Sequence, residues 1–141
     1  MPGRKPTPFT RRRAAHLRLG KRGERLAARL LGELGRDVLC RNYTCHDGEI
    51  DIVARDGDVL CFVEVKTRRR AGNGRPADAV GPRKRRRISR AARRYLREIG
   101  RPRVVYRYDV VEIVATRWRV RQVRYHPNGF TEEGLGRDTR Y

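Results

Sequence analysis

The chain has 141 residues, enough for one domain of ordinary size, and at 38% hydrophobic it can bury a real but thin core. Its 36 lysines and arginines against 16 acidic residues leave a formal net charge of +20. A polyanionic partner would relieve that self-repulsion, and nucleic acid is the commonest such partner. No run approaches the ~20 apolar residues of a membrane-spanning helix, and residues 1–13 lack the apolar stretch of a signal peptide. No membrane association and a cytoplasmic location are therefore expected. Lysine stands only at positions 5, 21, 66 and 84. An arginine excess of this kind is what codon bias in a GC-rich genome produces, so it says little about specificity.

Residues 1–18 are rich in Pro and Arg and lack apolar periodicity until their end, which predicts a disordered basic arm. From Lys21 to Leu34 the pattern is helical. Leu26, Ala27, Leu30, Leu31 and Leu34 form one stripe, Arg25, Arg29 and Glu33 lie opposite it, and Gly35 is a natural stop. Glu24 falls on the flank of that stripe. It suits the helix dipole there, and it could also point toward whatever the helix packs on.

Short strands follow, the first over Asp37–Tyr43. Glu49–Arg55 and Asp58–Lys66 carry the strongest strand signal, joined by Asp56-Gly57, a favoured two-residue hairpin turn. With that turn as the loop, Arg55 pairs with Asp58, Ile50 with Val63, Ile52 with Cys61 and Ala54 with Val59. The last three pairs are wholly apolar and fill one face. On the other face Glu49 opposes Glu64, Asp51 lies diagonal to Glu64, and Lys66 follows two residues on. Val53, Leu60 and Phe62 share that face, so it is expected to be covered rather than solvated.

A Gly-, Arg- and Pro-rich loop runs over 68–81. Pro82 then opens a helix to about Ile99, apolar at Ile88, Ala91, Ala92, Tyr95, Leu96 and Ile99, and basic at Arg86, Arg90, Arg93, Arg94 and Arg97. Two more strands, about Val104–Val114 and Trp118–Tyr125, form a hairpin. The fold class is therefore α/β, a mixed β-sheet flanked by helices. The main domain is expected over 19–127, with a flexible tail over 128–141. Tyr106, Tyr108, Trp118 and Tyr125 are expected in the core or on a sheet face, and Asp109 as a strand-surface acid paired with an arginine. Cys40, Cys45 and Cys61 lack the paired spacing of a zinc ribbon and read as ordinary buried or half-buried thiols.

Directly opposed carboxylates cost roughly 0.2–1 kcal/mol even when solvated, and a divalent cation reverses that sign. Asp51 and Glu64, with the backbone carbonyl of Val65, could hold Mg²⁺ or Mn²⁺, and Lys66 could orient a water or neutralise charge developing on a phosphate. Nucleic-acid contacts are expected from Arg68 and Arg69 beside the site, and from Lys84, Arg85, Arg86 and Arg90 on the second helix.

The run Gly48-Glu49-Ile50-Asp51-Ile52-Val53-Ala54-Arg55-Asp56-Gly57-Asp58, continuing through Phe62-Val63-Glu64-Val65-Lys66-Thr67-Arg68, resembles the signature of the YraN-like uncharacterised bacterial family. The likeness extends to Gly20, Gly23-Glu24, Ala27, Arg41-Asn42-Tyr43, Ala79-Val80, Lys84, Ala91, Tyr95-Leu96 and Arg107–Val111, roughly residues 20–125. That family is similar to archaeal Holliday-junction resolvases of the PD-(D/E)xK, restriction-endonuclease-like superfamily. The resemblance implies an αβββαβ core. It also implies a catalytic set in which Asp51 matches the motif aspartate, Glu64 and Lys66 match the (D/E)xK pair, and Glu24 matches the acid brought from the first helix. The implied activity is metal-dependent endonuclease cleavage of DNA, with branched or damaged DNA as the substrate by analogy, in an enzyme that dimerises to cut two strands. The rival reading is a catalytically idle nuclease fold that binds nucleic acid in repair or RNA handling.

Overall fold

In a computed structural model of the chain, the described residues are 8–70, 80–116 and 118–132, with side chains described from Leu19 onward. The element order is α1 (Pro8–Glu33), β1 (Asp37–Cys45), β2 (Gly48–Asp56), β3 (Val59–Arg68), α2 (Pro82–Glu98), β4 (Val105–Ala115) and β5 (Val120–Phe130). The five strands form one mixed sheet in the order β1-β2-β3-β4-β5. β3 and β4 run parallel, joined by the crossover that contains α2, and the other neighbours are antiparallel. This is the expected α-β-β-β-α-β-β order.

Each helix covers one face. Ala27 and Leu31 of α1 pack on Ile52, Ala54, Cys61, Val63, Val111 and Ile113. Ile88, Ala91, Ala92 and Leu96 of α2 pack on Val53, Leu60, Phe62, Tyr106, Tyr108 and Val110. The face carrying Val53, Leu60 and Phe62 is thus covered, as its apolar content requires. α1 ends as Gly35 did predict: its φ of +80° lets Arg36 N–H reach the Leu31 carbonyl at 2.9 Å, a left-handed glycine stop.

Several boundaries differ from expectation. The arm expected over 1–18 is helical from Pro8, because Pro suits the first turn and Arg, Ala and Leu are good helix formers even without a stripe. The tail expected from 128 begins inside β5, where Phe130 is buried and stacks on Tyr108 with ring centroids 5.0 Å apart. Leu34 and Ile99, each past its helix end, are 46% and 47% exposed. Trp118 lies at the β4–β5 turn and is exposed, not in the core. Of the loop expected over 68–81, residues 71–79 lie outside the described residues, as do 1–7 and 133–141.

The β2–β3 register is also corrected. The pairs are Ile52 with Val63, Val53 with Phe62, Ala54 with Cys61, Arg55 with Leu60 and Asp56 with Val59, two residues away from the expected pairing. Gly57 alone in the turn has a positive φ, +58°, so the loop is Gly57-Asp58, with glycine in the first central position. An even shift leaves the side chains from Ile52 to Val63 on their expected faces, whereas Ile50 packs on the face opposite to the one expected.

Candidate functional site

Strict alternation fails at one point in β2, and the site lies there. Ile50 packs in the α2-side core and Ile52 in the α1-side core, although they are two residues apart. The β1–β2 ladder pairs Tyr43 with Ile50 and Arg41 with Ile52 but skips Asn42 and Asp51 between them. Asn42 sits at φ +52°, a conformation Asn tolerates better than most residues. The β2–β3 ladder stops at Ile52. Asp51 therefore occupies the place where β2 turns over and parts from β3. Its Oδ2 accepts a 2.8 Å hydrogen bond from the Val65 N–H of β3.

Continuing the ladder by one step brings Asp51, not Glu49, alongside Glu64. Glu49 pairs instead with Thr44 of β1, and its side chain is 55% exposed. Asp51 and Glu64 lie on the floor of a cavity of about 750 Å³ that also reaches Glu24, Arg41, Lys66 and Lys84. Glu24 comes from the flank of α1, which approaches β3 closely because Gly23 has no side chain: a Cβ there would collide with Thr67 Oγ1.

The electrostatics follow from burial. Glu64 is 7% exposed, and its Oε2 has no hydrogen-bond partner among the described residues. Burial, then the charge of Asp51, pushes the Glu64 carboxyl well above the ordinary carboxylate range. Burial raises Asp51 too, against the bond from Val65 N–H. Glu24 is raised by burial and then by Asp51. Three carboxyls are thus held where ionising all of them is costly. The cation that answers Glu64 is Lys84 of α2, with Nζ 3.6 Å from Glu64 Oε1 and 3.8 Å from Glu49 Oε1.

The orphaned Oε2 and the clustered carboxyls fit a divalent cation, which would supply the missing positive charge. Asp51, Glu64 and the Val65 carbonyl are the residues that would hold it. No group of three His, Cys, Asp or Glu side chains stands ready to hold an ion among the described residues, so two carboxylates and a backbone oxygen are the donor set the site offers.

The structure brings Glu24, Asp51, Glu64, Val65 and Lys66 to one cavity. Lys66 is exposed. Sequence reasoning missed Lys21, Arg25 and Arg41, which also line it; Lys21 and Arg25 flank Glu24 in the sequence, which was the available signal. Of the expected nucleic-acid contacts, Arg69, Arg86 and Arg90 are exposed, while Arg68 is half-buried with an unpartnered Nε. Arg85 donates from Nε to the Val80 carbonyl at 2.8 Å and lies over the Phe130 ring, so it braces the start of α2. Asp109 is wholly buried, not on the surface as expected, though its arginine partner was foreseen: Arg107 Nε lies 2.9 Å from its Oδ1. Cys40 and Cys45 are half-buried and Cys61 is buried, all free thiols. Among the described residues, no helix is long and apolar enough to cross a membrane.

The model of the uncharacterised protein family UPF0102 matches residues 23–122. Among its relatives, the UPF0102 protein of Chlorobaculum parvum is 48% identical over 106 residues, covering 75% of this chain and 82% of the relative. That of Streptomyces griseus is 51% identical over 112 residues, covering 79% and 93%. That of Geobacter sulfurreducens is 47% identical over 112 residues, covering 79% and 88%. The matched span contains every residue of the carboxylate cavity contributed by β2, β3 and α2, as the resemblance of the Gly48–Arg68 run implied, and the chain belongs to the uncharacterised protein family UPF0102.

Proposed function

We propose that this protein is a Mg²⁺- or Mn²⁺-dependent endonuclease that hydrolyses phosphodiester bonds in DNA. The observation that carries the proposal is the pairing of half-buried Asp51 with buried Glu64, whose Oε2 has no partner among the described residues, in a cavity otherwise rimmed by Lys21, Arg25, Arg41, Lys66 and Lys84. An acidic floor under a basic rim suits a cation beneath a phosphate.

Asp51, Glu64 and the Val65 carbonyl would hold the ion, which when bound lowers the pKa of water and polarises the phosphate. Lys66, two residues from Glu64 on the same strand face, donates to a nonbridging phosphate oxygen and offsets the charge that develops there. Glu24 accepts a hydrogen bond from the attacking water and orients it. Arg25, Arg41 and the exposed arginines of α2 bind the flanking backbone and fix its register without reading its sequence. Branched or damaged DNA is the substrate class by analogy with resolvases, and a homodimer would present one site to each strand.

A second reading, a catalytically idle fold that binds nucleic acid, is favoured by the two-carboxylate donor set alone. One experiment separates the two. Labelled single-stranded, duplex, flapped and four-way DNAs are incubated with Mg²⁺, Mn²⁺ or EDTA, beside Asp51→Asn and Lys66→Ala. Metal-dependent cutting lost in both variants is expected. Tight, salt-sensitive binding by all forms with no cutting by any would replace this reading with the idle fold.

A further inference from the structure

We propose that Lys84 is a built-in counter-cation that occupies the carboxylate site before the divalent ion does, and leaves it when the ion arrives. The inference rests on the metal-site reading above and adds a residue to it. Lys84 comes from the first turn of α2, seventeen residues after Thr67, the nearest in sequence of the other described cavity residues, yet its Nζ reaches both Glu64 and Glu49. Among the described residues, Lys66, the lysine of the sequence motif, makes no such ion pair. The two lysines are therefore not equivalent.

Geometry sets the competition. Lys84 Nζ stands 3.6 Å from Glu64 Oε1, a loose ion pair rather than a close hydrogen bond. A Mg²⁺ ion would approach the same carboxylate to about 2.0–2.1 Å and place a double positive charge beside the ammonium. Like charges so close repel, and the Lys84 side chain can yield. Its side chain is 36% exposed, whereas the side chain of Glu64 is 9% exposed and held within the sheet. Swung outward, the ammonium stays over the cavity, where it can meet a substrate phosphate. Lys84 would thus keep the carboxyls compatible with folding while metal is absent, and contact the substrate once metal is bound.

The test is calorimetric titration of Mn²⁺ into the full chain at about pH 8.5, without nucleic acid, comparing wild type with Lys84→Met, Lys84→Gln and Lys84→Arg. Loss of a partly exposed competing cation should tighten Mn²⁺ binding by roughly three- to tenfold in the Met and Gln variants. The charge-retaining Arg variant should stay near wild type. Two neutral variants keep the test informative if one melts early. Equal or weaker Mn²⁺ binding in both neutral variants, with wild type binding normally, overturns the role of Lys84 and leaves the metal site standing. No Mn²⁺ binding by wild type overturns both.

Discussion

Replacing Glu64 with Gln should stabilise the metal-free protein, and the gain should depend on pH. The Glu64 carboxyl is pushed up to about 8 from its ordinary 4.5 by burial and by Asp51. The fold therefore holds a proton on the Asp51–Glu64 pair that the unfolded chain releases. Wild-type stability from this group is fully present below about pH 4.5 and is lost as pH rises toward 8. At 1.36 kcal/mol per pH unit, the cost at neutral pH has an upper bound of about 3 kcal/mol. Relaxation and water entering an open cavity reduce that to roughly 1–2 kcal/mol. A neutral amide of the same shape carries none of it. Glu64→Gln should therefore raise the melting temperature by roughly 3–10 °C at neutral pH, and by almost nothing near pH 4. Millimolar Mg²⁺ should raise the melting temperature of wild type and leave the variant unmoved. The assay is thermal unfolding followed by circular dichroism across pH, with and without Mg²⁺. A lower melting temperature for the variant at neutral pH, or an equal shift at both ends of the range, would refute the reasoning.

Three further outcomes are expected. Asp109→Asn should destabilise by about 1–3 kcal/mol, because an amide cannot accept from Arg107, Tyr125 and the Asn128 N–H together, although Asp56 still pairs with Arg107, while Mn²⁺ affinity stays unchanged in the folded fraction; denaturant melts and calorimetry check both halves. Arg86→Ala and Arg90→Ala, exposed on α2, should each weaken duplex binding alike for all sequences and flatten the log–log salt slope by up to about 1, read by fluorescence anisotropy. Gly23→Ala would gain up to about 1 kcal/mol in an ordinary helix, but here the new Cβ meets Thr67 Oγ1. It should lower the melting temperature in wild type and raise it in a Thr67→Ala background.

The elements were legible because their signals are local. The stripe of α1, the alternating strands of the β2–β3 hairpin, and Pro82 before a strongly amphipathic run each need only a few neighbouring residues to be read. The hairpin register was not legible to the residue, since Asp56-Gly57 and Gly57-Asp58 both place glycine in a tight loop, and only the backbone decides between them. Asp51, Glu64 and Lys66 could still be grouped, because a two-residue slip preserves the face. What the alternation rule could not supply is the turnover of β2 at Asp51, which depends on Asn42 in the neighbouring strand. Nor could it supply the reach of Lys84 to Glu64 across the β3–α2 crossover, since spacing along the chain carries no record of where a helix start will dock.

Two kinds of buried carboxylate stand on the same sheet, and their surroundings separate structure from chemistry. Asp109 is wholly buried, yet its charge is met on every side. Arg107 Nε lies 2.9 and 3.2 Å from its two oxygens, Tyr125 Oη donates at 2.5 Å, and the Asn128 N–H donates at 3.0 Å. Such a group is saturated, so it has nothing left to offer a ligand, and its removal leaves Arg107 with Asp56 as its remaining carboxylate partner among the described residues. Glu64 is nearly as buried but has one loose ion pair and an oxygen with no partner, and its nearest acidic neighbour works against it. A fold selected for stability alone would exchange that carboxylate for an amide or an aliphatic side chain. Its place beside Asp51, under a rim of five cations, is the feature on which the proposed metal site rests.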